Sequence, residues 1–320
     1  MSVLVYTENQ DGRFKKHIFE LVSYASETAK MLNCSVTALS TGKVEESELM
    51  KLGNYGAGRI ISVENSLPSG LDNRAYSYVV SEVAGKTGAT VIILSDNNTG
   101  KAIAPGLSVR LKAAVGSGVS RLPLSTEPFV VYKRTFSGNA YAHVVLKTPV
   151  RIITLARNSF SSIESAGNPS IEKMEIPVDG ALVTTTIKEV IRQSGRMQLS
   201  DADIVVSGGR GMKSPDNWAP LLELAESLGA ATACSRPVSD EGWRPHEEHA
   251  GQTGKIIAPN LYIAVGISGA TQHLAGVSSS KYIVAINTDK DAPIFEAAQY
   301  GIVGDAMKIL PKLAETIKKR

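Results

Sequence analysis

Short runs of β-branched and other apolar residues alternate with longer amphipathic stretches through the first half of the chain. The short runs predict four strands, at Val3–Tyr6, Ser35–Leu39, Arg59–Val63 and Thr90–Leu94. The stretches between them predict helices over residues 13–32, 72–86 and 101–112. Strands that alternate with helices are typical of a parallel sheet covered on both faces, so this half is predicted to be an α/β domain.

The pattern changes after residue 128, where apolar runs follow one another across short turns without helical stretches between them. These runs predict four further strands, at Phe129–Lys133, Ala140–Leu146, Val150–Leu155 and Leu182–Thr186. Because strands joined by tight turns usually pair antiparallel, we expect them to extend the first sheet as antiparallel strands.

The alternation of strands and helices resumes near Asp203 and continues to the end of the chain. It predicts strands at Ile204–Val206, 230–233, Leu261–Val265 and Ile283–Ile286, and helices at Asn217–Leu228, after Gly269 and at Asp305–Lys319. The polar stretch 188–200 separates this second series from the first. We therefore expect two domains: residues 1–190, a mostly parallel α/β sheet with added antiparallel strands, and residues 191–320, a doubly wound α/β domain.

The composition narrows the classes of function. Among 320 residues, 34 Lys and Arg stand against 31 Asp and Glu, and the resulting net charge of +3 is small for a protein that binds nucleic acid over its whole surface. The two cysteines, Cys34 and Cys234, are too few for a disulfide framework or a thiolate metal site. No apolar run approaches the roughly 18 residues of a membrane span, and the N-terminus resembles a strand more than a targeting segment. We therefore expect a cytoplasmic protein without bound nucleic acid, metal or membrane insertion.

Ligands of open parallel sheets bind outside the carboxyl ends of the strands. In the second half, four of these ends are followed by loops rich in Gly, Ser, Arg or Asn, at Ser207–Gly211, Ser235–Arg236, Gly266–His273 and Asn287–Asp289. We expect Gly208, Gly209 and Gly211 to take positive φ and to bring the backbone close to a ligand. The four loops together predict a crevice for a large, polar, phosphate-bearing ligand.

Several side chains in these loops suit parts of such a ligand. The stretch Gly266–Gly269 precedes a helix, whose free N–H groups and dipole favour a pyrophosphate. Arg210 and Arg236 supply fixed positive charge, and Asn287 offers a donor and an acceptor to a ribose or adenosine edge. His273 could donate a hydrogen bond to a redox ring and stabilise negative charge added on reduction.

Motifs of other nucleotide-binding and catalytic classes are incomplete. Gly116–Gly118 lacks the third glycine of the dinucleotide fingerprint, and Gly251–Lys255 is followed by Ile256 where a P-loop needs Ser or Thr. The stretch His246–His249 has the wrong spacing for a zinc site and is predicted to be a solvent-exposed polar loop. No serine or cysteine occupies a nucleophile elbow, so we predict no catalytic residues.

Six sequence blocks in the second half resemble the alpha subunits of electron-transfer flavoproteins. They are residues 205–211, 235–236, 251–259, 261–270, 272–276 and 283–287. The resemblance is dense from residue 203 to 320 and looser over the first half, and it is specific because ungapped blocks agree in order and spacing. It implies a heterodimer in which residues 1–190 contact a beta subunit and residues 191–320 bind one FAD.

The resemblance implies that the protein carries electrons. Family members accept electrons from dehydrogenases, such as acyl-CoA dehydrogenases, and pass them to a membrane quinone oxidoreductase; they also hold AMP in the beta subunit. The residues that the resemblance assigns to FAD are Arg210, Ser235, Arg236, Ala250, Gly251, Gln252, Thr253, Ser268, Gly269, Ala270, Thr271, Gln272, His273, Asn287, Asp305 and Ala306. Within this set, Arg236, Thr253 and His273 would lie nearest the flavin ring. Ser268 would lie at the pyrophosphate.

Two other functions stay open at this point. An adenine-nucleotide-binding regulatory module would bind nucleotide without flavin and without redox activity. A stand-alone flavoenzyme would convert a small substrate without a beta subunit. Because the sequence shows no convincing acid, base or nucleophile, it favours a carrier, which needs a tuned cofactor but no proton-handling pocket for a substrate.

Overall fold

The computed structural model describes residues 2–64, 72–138, 140–189 and 198–319. The chain divides into two units, Met1–Val190 and Ile191–Arg320. Within the polar stretch 188–200, which the sequence predicts to separate two domains, residues 190–197 lie outside the described residues. In the part of the chain that is described, no helix is both long and apolar enough to cross a membrane.

The first unit contains one large mixed sheet. Its described strands are β1 (Ser2–Thr7), β2 (Asn9–Gln10), β3 (Arg13–Phe14), β4 (Ser35–Thr41), β5 (Arg59–Val63), β6 (Ala89–Ser95), β7 (Ala114–Val119), β8 (Ser125–Thr126), β9 (Phe129–Thr135), β10 (Ala140–Val145), β11 (Arg151–Leu155) and β12 (Ser170–Lys173). Its described helices are α1 (Lys16–Met31), α2 (Glu46–Met50), α3 (Asn73–Thr87) and α4 (Asn98–Leu111). The sheet has the order β10-β9-β7-β11-β6-β1-β4-β5-β12, with β8 beside β9, while β2 and β3 form a separate pair.

Most of this sheet is parallel, as the sequence predicts. Parallel pairing continues from β7 to β12 along the sheet order, whereas β8, β9 and β10 add antiparallel pairs at one edge. Successive side chains of the central strand β1 enter opposite layers, because strand residues alternate between faces. Val3 and Val5 pack in the layer of α1, and Leu4 and Tyr6 pack in the layer of α3 and α4. The predicted α/β class with helices on both faces is confirmed.

Two of the predicted antiparallel strands are wrong. The run at Val150–Leu155 forms β11, which pairs parallel with both β6 and β7. Its continuous burial from Ile152 to Leu155 is typical of a central parallel strand. The run at Leu182–Thr186 forms no strand; a 3-10 turn at Gly180–Leu182 leads into irregular backbone. There, a carboxylate of Asp72 accepts hydrogen bonds from the N–H groups of Thr184 and Thr185, in place of a neighbouring strand.

The second unit is built around a smaller, all-parallel sheet. Its described strands are β13 (Ile204–Gly208), β14 (Ala231–Cys234), β15 (Leu261–Val265), β16 (Tyr282–Asn287) and β17 (Tyr300–Val303). Its described helices are α5 (Ala219–Ser227), α6 (Arg236–Asp240), α7 (Thr271–Val277), α8 (Ile294–Ala297) and α9 (Ala306–Lys318), and a 3-10 turn at Pro215–Trp218 precedes α5. The sequence did not indicate β17 or α6.

The strand order of this sheet is β14-β13-β15-β16-β17, and every neighbouring pair is parallel. Helices α5, α6 and α9 pack on one face, where Ile263 and Val265 of β15 point. Helices α7 and α8 pack on the other face with Tyr262 and Ala264. This is the doubly wound arrangement that the sequence predicts for the second half.

Candidate functional site

The second sheet brings the loops that follow its strands to one edge, because parallel strands all end on the same side. Between β13 and β15 the order of the strands reverses, and ligands of such sheets bind at this switch point. The sixteen residues assigned to FAD by resemblance follow these strand ends. The exposed members are Arg210, Arg236, Gln252, Thr253, Ser268, Ala270, Thr271 and Gln272; the buried ones are Ser235, Ala250, Gly251, Gly269, His273 and Ala306; the half-buried ones are Asn287 and Asp305.

The loops after β13 and β15 interlock at the switch point. The N–H of Gly209 donates to the carbonyl of Val265 at 2.8 Å, and the N–H of Gly211 donates to the carbonyl of Gly266 at 2.9 Å. A Cβ on Gly209 would collide with the carbonyl oxygen of Gly266. These glycines therefore allow two loops to touch.

The expected positive φ of Gly208, Gly209 and Gly211 is wrong. Positive φ at this edge occurs at Gly266 (60°), at Gly269 (89°) and at Gly251 (154°). Gly209 has φ −110°. The need for glycine at these three positions comes from crowding by neighbouring residues, which local sequence does not reveal.

A second connection joins the loop at residues 249–254 to the end of β14 and to α7. The N–H of Ala250 donates to the carbonyl of Cys234 at 3.0 Å, and the N–H of Gln252 donates to the carbonyl of Gln272 at 2.8 Å. Gly276 packs directly on Gly251, and a Cβ at Gly276 would overlap the Gly251 backbone. The segments Ala250–Thr253 and Ala270–His273, far apart in sequence from Ser235, thus meet at one edge.

Two arginines give this edge its positive charge. The side chains of Arg210 and Arg236 are 67% and 64% exposed, and their carboxylate partners are Glu241 at 3.9 Å and Asp240 at 3.3 Å. Exposed ion pairs of this kind contribute little to stability. Both guanidinium groups can therefore turn toward an anionic ligand at low cost.

Asn287 and Asp305 hold the loops together. The Asn287 side-chain Nδ2 donates to the carbonyl of Ile267 at 3.0 Å, and its Oδ1 accepts from the N–H of Asp289 at 3.1 Å. Asp305 is the N-cap of α9, where its Oδ1 accepts from the N–H of Met307 at 3.0 Å. Each side chain keeps further hydrogen-bonding capacity for a ligand, but part of its role is structural.

His273 lies behind the exposed rim and is 8% exposed. Its Nε2 is 2.7 Å from the hydroxyl of Tyr262, and its Nδ1 has no hydrogen-bond partner among the described residues. Burial, together with repulsion from His249, lowers the pKa of His273 to about 4. The ring is therefore neutral near pH 7.

The stretch His246–His249 differs from the predicted exposed loop. His246 and Glu247 are exposed, but Glu248 is 8% and His249 only 3% exposed. Arg244 donates two hydrogen bonds to Glu248, at 2.8 and 2.7 Å, and stacks over the ring of Trp218. Within the described part of the chain, no cluster of His, Cys, Asp or Glu could hold a metal ion.

His249 is the residue that sequence reasoning missed at this site. Its one sequence signal is its position directly before the block Ala250–Thr253. Its Nδ1 has no hydrogen-bond partner among the described residues, and burial and the neighbouring His246 lower its pKa.

Comparisons with known proteins cover almost the whole chain. Residues 3–179 match the family model described as the electron transfer flavoprotein domain, and residues 198–278 match the electron transfer flavoprotein FAD-binding domain. The second of these family models is described as FAD-binding, so FAD is the cofactor of the family that the second half matches.

Three similar relatives carry the name electron transfer flavoprotein subunit alpha. The one from Syntrophomonas wolfei is 34% identical, with 98% of each chain covered. The one from Bacillus subtilis is 35% identical over 99% of this chain and 97% of its own length. The one from Pseudomonas aeruginosa is 34% identical over 99% of this chain and all of its own length. The predicted resemblance is confirmed, and the chain belongs to the electron transfer flavoprotein family as a relative of its alpha subunits.

Proposed function

We propose that this chain binds one FAD at the edge where the strands of its second unit end, and that it acts as the alpha subunit of a heterodimeric electron carrier. The observation that carries the proposal is the convergence of all sixteen assigned residues on the loops and helix starts that follow the strands at that edge. Thirteen of the sixteen fall before residue 278, inside the segment that matches the FAD-binding domain.

The chemistry of these residues fits FAD. Arg210 and Arg236 offer guanidinium groups without strong partners, which suits the anionic parts of FAD. Exposed hydroxyl and amide groups, from Gln252, Thr253 and Ser268 among others, suit the ribityl and ribose hydroxyls. His273 adds a buried, neutral imidazole at the same edge. The glycines bring the loops close enough to hold these groups together.

In the proposed role, FAD supplies the redox chemistry, and the side chains hold it and set its surroundings. Thr253 and Arg236 present donors at the exposed rim, where negative charge added to the ring is stabilised by hydrogen bonds. His273 bonds from the buried side. Loops at 249–254 and 266–273 exclude water from that side of the ring.

The partners belong to the same proposal. The first unit contacts the beta subunit, dehydrogenases such as acyl-CoA dehydrogenases donate electrons, and a quinone oxidoreductase accepts them. The carrier converts no substrate of its own and works in the cytoplasm.

The test uses this chain purified in complex with its beta subunit. We expect a yellow complex that releases about one FAD per alpha chain when unfolded, and whose flavin absorbance bleaches when a reduced acyl-CoA dehydrogenase is added. A colourless complex that cannot be reconstituted with FAD would contradict the proposal. If that complex bound an adenine nucleotide instead, an adenine-nucleotide-binding regulatory module would become the favoured function.

A further inference from the structure

Three histidines form a row from the surface toward the buried side of the proposed FAD site. His246 is exposed, and its ring centroid lies 5.6 Å from that of His249. His249 is 3% exposed, and its Nδ1 has no hydrogen-bond partner among the described residues. A buried polar atom without a partner is costly, so it calls for an explanation.

The row continues from His249 to His273 across Gly251. A Cβ on Gly251 would lie 3.2 Å from Nε2 of His249 and 3.8 Å from Cα of His273. His273 also has an Nδ1 without a described partner, and its Nε2 contacts the hydroxyl of Tyr262. The series His246, His249, His273 and Tyr262 therefore passes from solvent to the core.

The charged and titratable groups around the two buried rings are few. His249 faces His246, with Arg236 and Asp240 of α6 nearby, and His273 faces His249 and Tyr262. Burial lowers the pKa of both rings, and neighbouring positive charge adds to this effect. A neutral imidazole holds one proton and one free lone pair, so it can accept a proton at one nitrogen and release one from the other.

We propose that His246, His249 and His273 form a proton relay from solvent to the FAD site, with His249 as its central member. This inference rests on the proposed function, because the relay needs a redox group at its inner end. When a reductant delivers an electron to that site, a proton from water binds His246 and passes to His249. The proton is finally bound by Nδ1 of His273, while the Nε2–H of that ring keeps donating its hydrogen bond to the Tyr262 oxygen. Only N–H and O–H bonds form or break, and the added proton balances the added negative charge.

The relay is tested on the complete complex with the beta subunit. A flash-excited ruthenium photosensitiser injects electrons, and a pH-indicator dye in weakly buffered solution records proton uptake; the FAD-free complex serves as the blank. In His249→Gln, we expect proton uptake per bound FAD to slow by about tenfold or more. In His246→Gln, we expect a smaller slowing, because His246 is exposed and water can replace it as the proton donor.

Two controls separate a relay from a packing role. His143→Gln removes an exposed histidine of β10 in the first unit and keeps the wild-type uptake rate. His249→Ala leaves space, so added imidazole restores part of its uptake rate, whereas a residue that only fills space would show no such rescue.

The outcomes distinguish the relay from the function on which it rests. Equal uptake rates in FAD-loaded wild type and His249→Gln would overturn the relay alone. A wild-type complex that binds no FAD would overturn the proposed function and the relay with it.

Discussion

Single residues at the rim of the second unit differ in what they contribute. Arg236 is exposed and weakly paired, so its charge is available to a ligand. His273 is buried and neutral, so it contributes a directed hydrogen bond and no charge. The two residues therefore lead to different experiments, one on affinity and one on pH dependence.

Replacing Arg236 with Ala is expected to weaken FAD binding about tenfold to a hundredfold. A hydrogen bond to a charged group is worth about 1.5–3 kcal/mol, and each 1.4 kcal/mol changes an affinity tenfold. Fluorescence titration of the FAD-free complex measures the change. Lys312→Ala removes an exposed cation from α9 and is expected to leave the affinity unchanged. Equal losses in both variants would mean that net charge, and not Arg236, governs binding.

His273 makes the stability of the chain depend on pH. Its pKa is lowered from 6.5 to about 4 in the folded state, so the unfolded chain binds the proton first as the pH falls. The contribution of neutral His273 to the free energy of unfolding is fully present above pH 6.5. It declines as the pH falls toward 4, by about 3 kcal/mol at most. Urea-unfolding midpoints across this range are expected to fall less steeply for His273→Gln than for wild type. His143→Gln should keep the wild-type slope, and the same slope in all three proteins would refute the assignment.

Among whole elements, α7 is placed by its contact with the loop at residues 249–254. Gly276 lies in α7, and a Cβ there would overlap the backbone of Gly251. Gly85 lies in α3 and has open space around the same position. Substitution by alanine is therefore expected to be unfavourable at Gly276 and tolerated at Gly85, so the second glycine is a matched control for the first.

Gly276→Ala is expected to lower the free energy of unfolding by about 1–3 kcal/mol, because the added methyl group displaces the loop. FAD affinity should fall with it, since Gln252 and Thr253 move. Gly85→Ala should be neutral or raise stability by up to about 1 kcal/mol, because alanine favours helix. Denaturant unfolding measures both changes, and a stabilising effect at both positions would show that the loop does not pack on α7 as described.

A buried carboxylate holds the segment at Thr184 and Thr185 against α3. One oxygen of Asp72 accepts from the N–H groups of Arg74 and Ala75 at the start of α3, and the other accepts from Thr184 and Thr185. Burial opposes ionisation of Asp72, but these hydrogen bonds hold its pKa well below its usual value.

Asp72→Asn is expected to release that segment. The asparagine amide has only one acceptor oxygen, so the hydrogen bonds either to the start of α3 or to Thr184 and Thr185 are lost. This loss is expected to lower the free energy of unfolding by about 1–3 kcal/mol. Hydrogen-exchange mass spectrometry should show faster exchange at Thr184 and Thr185. Asp179→Asn, at an exposed N-cap, should change stability by less than about 0.5 kcal/mol. Unchanged exchange in Asp72→Asn would contradict the role of the carboxylate.

At the scale of the whole molecule, the two units have separate tasks in the proposed function. The first unit has the larger sheet; in that proposal it contacts the beta subunit, and the second unit binds FAD. Analytical ultracentrifugation should therefore give one alpha and one beta chain per complex. Arg236→Ala should keep this stoichiometry while binding FAD more weakly, because the substitution lies in the second unit. Dissociation of the variant complex would contradict this division of tasks.

Much of this architecture follows from local sequence. The alternation of apolar and amphipathic runs identified the α/β class, and the polar loops after Val206 and Val265 located the candidate site. Side-chain periodicity and loop composition are properties of neighbouring residues, so a single chain reveals them. Family membership follows for the same reason, because the matching blocks are continuous stretches of sequence.

The sequence alone determined the class of fold, the family and the edge of the sheet that carries the proposed site. Only the tertiary structure decided that β11 enters the sheet between β6 and β7, that Asp72 holds Thr184, and that His249 lies beside His273. It also decided that Gly209 makes room for Gly266 and does not itself turn with positive φ. In each case the deciding contact joins residues far apart along the chain, and their proximity depends on how whole layers pack, which no local pattern encodes.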